Sequence, residues 1–222
     1  MLEQSFDGRN IVITERAGGI WIALARELLQ RGAERVVLTG RDRARLASAA
    51  ENLGPRVETA GFDMTDEGHM AGFLARQSTI DRLITAAAGT MRGLVAELEV
   101  AKARVLFELK YWGQCSCCKQ GMVKLAPHGS IVPFSGWISR KPMAGVLAIA
   151  AIDAVMEALG RTFAFEIAPR RVNSGCPARS TRRSGRPVCR PKSGRRTSRR
   201  LARACPRTVR ALLKTPPMPC AS

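Results

Sequence analysis

Apolar residues recur along the first three quarters of the chain with two alternating periods. Asn10 to Thr14 is a short β-branched run, and Gly19 to Arg31 sets Ile20, Ala23, Leu24 and Leu28 at helical spacing, so a strand is followed at once by an amphipathic helix. The succession repeats. Val36 to Thr39 predicts a second buried strand and Asp42 to Asn52 a second helix; Val57 to Asp63 predicts a third strand and Thr65 to Gln77 a third helix. Arg82 to Thr85 continues the alternation as a fourth strand. Beyond it the pattern predicts a long helix over Glu97 to Leu125, a strand at Ser130 to Phe134, a helix from Val146 to Glu166 and a last strand at Arg171 to Asn173. Alternating β and α segments of this length predict an α/β fold, a doubly wound, Rossmann-like parallel sheet with helices on both faces.

The periodicity stops at Arg179. From there to Ser222, Arg, Pro, Ser and Cys dominate around one apolar cluster, Val209 to Leu213. Such a composition buries too little apolar surface to offset its ordering entropy, so this tail is expected to be disordered. The organisation read from the sequence is therefore one α/β domain over residues 1–178 followed by a basic tail over 179–222.

Charge sharpens that division. The chain of 222 residues has 36 Lys and Arg against 18 Asp and Glu, a formal net charge of +18. The tail holds 14 of those cations and none of the acids, which leaves residues 1–178 at only +4. The body is thus an ordinary domain, and any polyanion affinity is a property of the tail. An acid-free stretch of this kind is what an out-of-frame reading of a GC-rich gene produces; the other reading is a basic arm that binds nucleic acid or an anionic surface. The tail has no Phe, Tyr or Trp for base stacking, so a nucleic-acid partner is not expected.

Seven cysteines without a charged-then-apolar leader do not predict a secreted disulfide framework, and a reducing cytoplasm is the expected location. The most apolar stretch, Met143 to Ile152, is far shorter than the roughly 20 residues a membrane span needs, so no membrane partner is expected. Cys115, Cys117 and Cys118 lack a zinc-ribbon spacing, and His69 and His128 show no ligand pattern, so no metal site is expected. Trp112 and Trp137 are candidates for a substrate pocket or, more simply, packing anchors.

The residues between the predicted elements carry a series of landmarks. They are Asp7-Gly8-Arg9 before the first strand, Gly18-Gly19-Ile20 at the first turn, Thr39-Gly40-Arg41-Asp42 after the second strand and Asp63-Met64-Thr65-Asp66 after the third. Ala87-Ala88-Gly89, Gly129-Ser130-Ile131-Val132 and Ile167-Ala168-Pro169-Arg170-Arg171-Val172-Asn173 follow in order. In this order and spacing, from Phe6 to Ala178, the chain resembles the short-chain dehydrogenase/reductase family.

The resemblance implies a nicotinamide dinucleotide across the carboxyl ends of the strands, its pyrophosphate at the first helix N-terminus. Thr14, Arg16, Gly19 and Ile20 would line that turn. Two of the family's three glycines fall here on Glu15 and Trp21, so the alternative is a turn that binds no phosphate. Arg41 stands where NADP-preferring members place a cation for the 2′-phosphate, which makes NADP the implied cofactor; the plainer reading of Arg41 is a solvated arginine beside Arg43 and Arg45. Asp63 falls at the adenine-contacting position, with Ala87 and Gly89 along the adenosine side.

Carbonyl reduction in the family uses a tyrosine as proton donor, a lysine that lowers its pKa, a serine that holds the carbonyl and an asparagine that supports the lysine. The resemblance puts Ile149, Asp153, Gly136 and Lys110 at those four positions. The usual mechanism is not expected from this set. The remaining catalytic candidates are Ser135, one residue from the serine position, and Lys110, as an atypical oxyanion and acid pair. The single tyrosine, Tyr111, reads as a packed helix residue. After Pro177 the family's substrate-covering loop and helix and its last strand have no counterpart.

Three functions follow. The first is an NADP-linked oxidoreductase of a small carbonyl or hydroxyl compound. The second is a noncatalytic Rossmann scaffold that forms a homodimer or tetramer through its long helices, near Val100 to Leu125 and Val146 to Glu166. The third is polyanion binding through the tail.

Overall fold

The computed structural model describes residues 5–14, 19–86, 89–141 and 143–176. The whole tail, Arg16, Ala87 and Pro177 lie outside the described residues. Six strands form one sheet: β1 (Asn10–Thr14), β2 (Arg35–Gly40), β3 (Val57–Gly61), β4 (Ile80–Thr85), β5 (Leu125–Pro133) and β6 (Arg171–Val172). Their order is β3-β2-β1-β4-β5-β6, every neighbouring pair parallel. The chain steps outward from β1 to β3 and then crosses back to β4, so the order reverses between β1 and β4. In an open parallel sheet that reversal opens a crevice beyond the carboxyl ends of the strands.

The helices are α1 (Gly19–Gln30), α2 (Arg43–Glu51), α3 (Glu67–Ala75), α4 (Val100–Phe107), α5 (Gly113–Gly121) and α6 (Leu147–Glu166). Ile11, Ile13, Val36 and Leu38 face α1 and α2, where Leu24, Leu28 and Leu46 meet them. The alternate residues Val12, Val37, Leu83 and Ile131 face Met70 and Leu74 of α3 and Cys117 and Cys118 of α5. Both faces of the central strands are dry, which is why these strands read as continuous β-branched runs rather than alternating ones. Each fully buried Ile or Leu contributes about 1.5–3 kcal/mol to burying the sheet.

The starts of α2 and α3 follow their capping residues. The Asp42 carboxylate accepts from the Arg45 N–H at 3.0 Å, and Asp66 accepts from the His69 N–H at 2.9 Å. The third helix therefore begins at Glu67 and not Thr65, because Asp66 is its N-cap. Gly32, at φ +93, turns the chain out of α1, and a Cβ there would collide with the Asp7 carboxylate.

The long helix expected over 97–125 is divided. After α4 the chain forms a π-helical turn over Glu108–Trp112 before α5, then a 3-10 turn over Met122–Lys124. β5 starts five residues earlier than expected, at Leu125, with an irregular register against β4 between Ile80 and Arg82. Periodicity misses such a break because apolar residues continue through the turn at nearly helical spacing.

Candidate functional site

The carboxyl ends of β4 and β5 are tied together by one side chain that the sequence reading passed over. Gln114 of α5 is wholly buried; its Oε1 accepts from the Thr85 hydroxyl at 2.9 Å and the Phe134 N–H at 2.8 Å, and its Nε2 donates to the Phe134 carbonyl at 3.1 Å. The available signal was a glutamine on the otherwise inward face of a helix. Thr14 ends β1 beside Cys117, whose thiol burial pushes up to about 12.

Gly19 and Ile20 open α1. Trp21, at the position of the family's third glycine, does not project into the crevice. It turns into the core and meets Phe134 edge to face, centroids 4.6 Å apart. Trp21 is thus a packing anchor between α1 and the end of β5.

At the other end of the crevice Arg41 follows β2 and Asp63 follows β3. Their side chains are brought together as an open ion pair, N to O 3.3 Å. Burial works against the Asp63 charge, but the Thr65 N–H at 3.0 Å, the Thr65 hydroxyl at 2.9 Å and the Arg41 guanidinium hold its carboxyl below the ordinary value. Gly89 lies against Leu106, where a Cβ would come within 2.5 Å of a leucine methyl.

The four positions at which the family's chemistry is expected converge as well. Lys110 projects from the π turn and Asp153 from the middle of α6, and the two form an ion pair with 7% and 1% of their surfaces exposed. An extra residue in a π turn rotates the helix face locally, which brings Lys110 inward toward α6. Gly136 borders the same carboxylate: a Cβ on it would fall 2.2 Å from an Asp153 oxygen. Ser135 sits behind, its hydroxyl donating to the Asp153 carbonyl at 2.7 Å and its N–H to the Gly175 carbonyl at 2.9 Å. Ile149 packs with Tyr111 against Leu106, Ile152 and Met156. Tyr111 is a packed helix residue, in edge contact with Trp112.

Near the mouth, the Glu157 carboxylate takes Arg140 at 3.0 Å and the Ser139 hydroxyl at 2.5 Å, and those bonds, Arg140 first, hold it below its ordinary pKa.

These groups divide in their fit to a dinucleotide. Arg41 offers an exposed cation, loosely held, to a phosphate at the adenosine end. At the other end the Lys110 charge is met by a carboxylate, the Ser135 hydrogen is given to a carbonyl, and Ile149 has no proton to donate. The residues there do not fit the family's proton-transfer chemistry.

Comparison with known proteins agrees with the fold. The family described as short chain dehydrogenase matches residues 9–181. Cis-4-hydroxycyclohexanecarboxylate dehydrogenase of Sinomonas cyclohexanicum is 30% identical over 186 residues, covering 78% of this chain and 74% of that one. Dehydrogenase/reductase SDR family member 7B of Danio rerio is 28% identical over 133 residues, covering 54% of this chain and 43% of its own length. Among solved structures, a short-chain dehydrogenase/reductase of Brucella melitensis superposes with a TM-score of 0.74 at 26% identity, covering 79% of this chain and 77% of that one. With the strand order, the crevice and the ordered landmarks all in place, the chain belongs to the short chain dehydrogenase family, a family of oxidoreductases.

Proposed function

We propose that this chain is an NADP-binding member of the family that does not reduce carbonyl compounds by the family's usual route and works as a nucleotide-binding scaffold. The observation that carries this reading is the buried Lys110–Asp153 pair, bordered by Gly136 and packed near Ile149, the residues that the resemblance sets at the family's catalytic positions. Unpaired, either charge would be costly to bury; paired, the two are committed to each other. An acid–oxyanion role for Lys110 with Ser135 would require both to leave their present partners. The reading keeps the protein in a reducing cytoplasm, supported by the free thiols Cys115, Cys117, Cys118 and Cys176. Among the described residues no helix is long and apolar enough to cross a membrane.

NADP preference rests on Arg41. A hydrogen bond to a charged group is worth about 1.5–3 kcal/mol, so Arg41→Ala should weaken NADPH about 10- to 100-fold and leave NADH nearly unchanged. Titration followed by tryptophan fluorescence reads both. Equal affinity of the wild type for the two nucleotides would refute the preference, and no binding to either by a folded chain would remove the nucleotide altogether. A screen of small carbonyl substrates with NADPH should give no turnover; turnover lost in Lys110→Met would reverse the scaffold reading.

Assembly as a homodimer or tetramer is supported by the surface of α4 and α6. Leu147, Ala151, Ala154, Ala158 and Phe165 lie exposed along one side of α6, Phe165 at 87%, and Val100, Val105 and Trp112 are exposed on and just after α4. Apolar stripes on two adjoining helices suit a two-fold contact in which each copy presents the same patch. Val105→Glu with Phe165→Glu should convert the protein to a monomer in sedimentation velocity. A wild-type monomer at tens of micromolar would exclude this assembly.

A further inference from the structure

Arg82 lies in the middle of β4. The parallel register sets it level with Ile11 of β1 on one side and Ser130 of β5 on the other, and sets Arg171 of β6 level with Ser130. Level residues of a parallel sheet project from one face, and neighbouring strands lie about 4.8 Å apart, so the two arginines stand on one face about 10 Å from each other. Between them in the register is Ser130, itself buried.

The local charge does not balance. Arg9, at the entry to β1, is the third cation of the group, and Asp81, on the other face of β4, is the nearby acid. Both oxygens of Asp81 are taken, one by Arg9 at 2.8 Å and the other by the Asn10 N–H at 2.9 Å. Arg82 donates to main-chain carbonyls, those of Asp81 at 3.1 Å and His128 at 3.5 Å. Among the described residues neither Arg82 nor Arg171 has a carboxylate partner. Both are half-buried, and burial, then Arg171 and Arg9, push the Arg82 guanidinium below its ordinary pKa.

Two half-withdrawn cations with no counter-charge are unfavourable alone and become favourable around an anion. A guanidinium binds oxygen pairs with its planar fork, and two forks on one face can grip two edges of a tetrahedral dianion, whereas a carboxylate fills only one. We infer that Arg82 and Arg171, across Ser130, form a binding site for a phosphate dianion, free or as a phosphomonoester. The site is separate from the nucleotide crevice: Arg82 lies three residues before Thr85, about 10 Å down the strand toward its amino end.

Thermal unfolding of the full chain in inorganic phosphate, against sodium chloride at equal ionic strength, tests this. Phosphate should raise Tm saturably in the wild type and in Arg41→Gln, and bind at least tenfold more weakly in Arg171→Gln. Arg171→Lys, which keeps the charge and loses the fork, should weaken phosphate several-fold and guards against misfolding of the glutamine variant. An equal rise in chloride, an undiminished response in the Arg171 variants, or a response lost in Arg41→Gln would each overturn the site.

Discussion

Asp153→Leu alone should lower the unfolding free energy by about 3–5 kcal/mol, and Lys110→Met should do nearly the same, because each leaves the other charge buried without a partner. The double variant Lys110→Met with Asp153→Leu should recover most of that loss, since both desolvation costs disappear together. Urea unfolding of the four proteins reads the cycle, and additive losses in the double variant would show that the pair is not coupled. The same carboxylate governs Gly136. Gly136→Ser places a Cβ on an Asp153 oxygen, so it should be badly tolerated with Asp153 present and much better tolerated in an Asp153→Ala background. Restoring the family's serine by itself is therefore expected to damage the protein before it restores any chemistry. Lysine at one position, aspartate at another and glycine at a third are mutually dependent here, and no one of them reverts alone.

Trp21→Ala should cost about 3–5 kcal/mol, the usual range for deleting a buried aromatic side chain. Trp21→Phe, which keeps a ring edge against Phe134, should cost well under half of that. Thermal unfolding of both variants makes the measurement. The alternative places the indole in the crevice; then alanine would leave Tm almost unmoved and alter nucleotide affinity instead. The outcome decides whether loss of the third glycine affects binding directly or only through the packing of α1 on β5.

Much of the architecture could be read directly from residue patterns. β1, β2, α1, α2 and α6 fall within a residue or two of their expected bounds, because their apolar periods are uninterrupted and Asp42 caps α2 where a cap is needed. The segment after β4 was less legible. The π turn at Glu108–Trp112 and the early start of β5 at Leu125 follow from how α5 and β5 pack on β4, not from any local preference. The candidate site divides in the same way. Arg41 and Asp63 were set by the resemblance at the adenosine end, and their mutual contact follows from β2 and β3 being neighbours. Ser135 and Lys110 were recognised as chemical groups, but each one's partner in the structure, the Asp153 carbonyl and the Asp153 carboxylate, is on another element. Gln114 was missed because a buried amide tying two strand ends looks, in one dimension, like any polar helix residue.

The sequence by itself determined the strand and helix alternation, and with it the parallel sheet and its crevice, because hydrophobic period and capping are local properties that survive without neighbours. It also carried, through the resemblance, an expectation of which side chains stand at the family's catalytic positions. Only the tertiary structure decided what those side chains do to one another. A lysine and an aspartate 43 residues apart become a buried pair, an indole becomes an anchor, and two arginines on separate strands come level with the same serine. Charge and burial are set by whatever lies a few ångströms away in space, and that neighbourhood exists only after the sheet has formed.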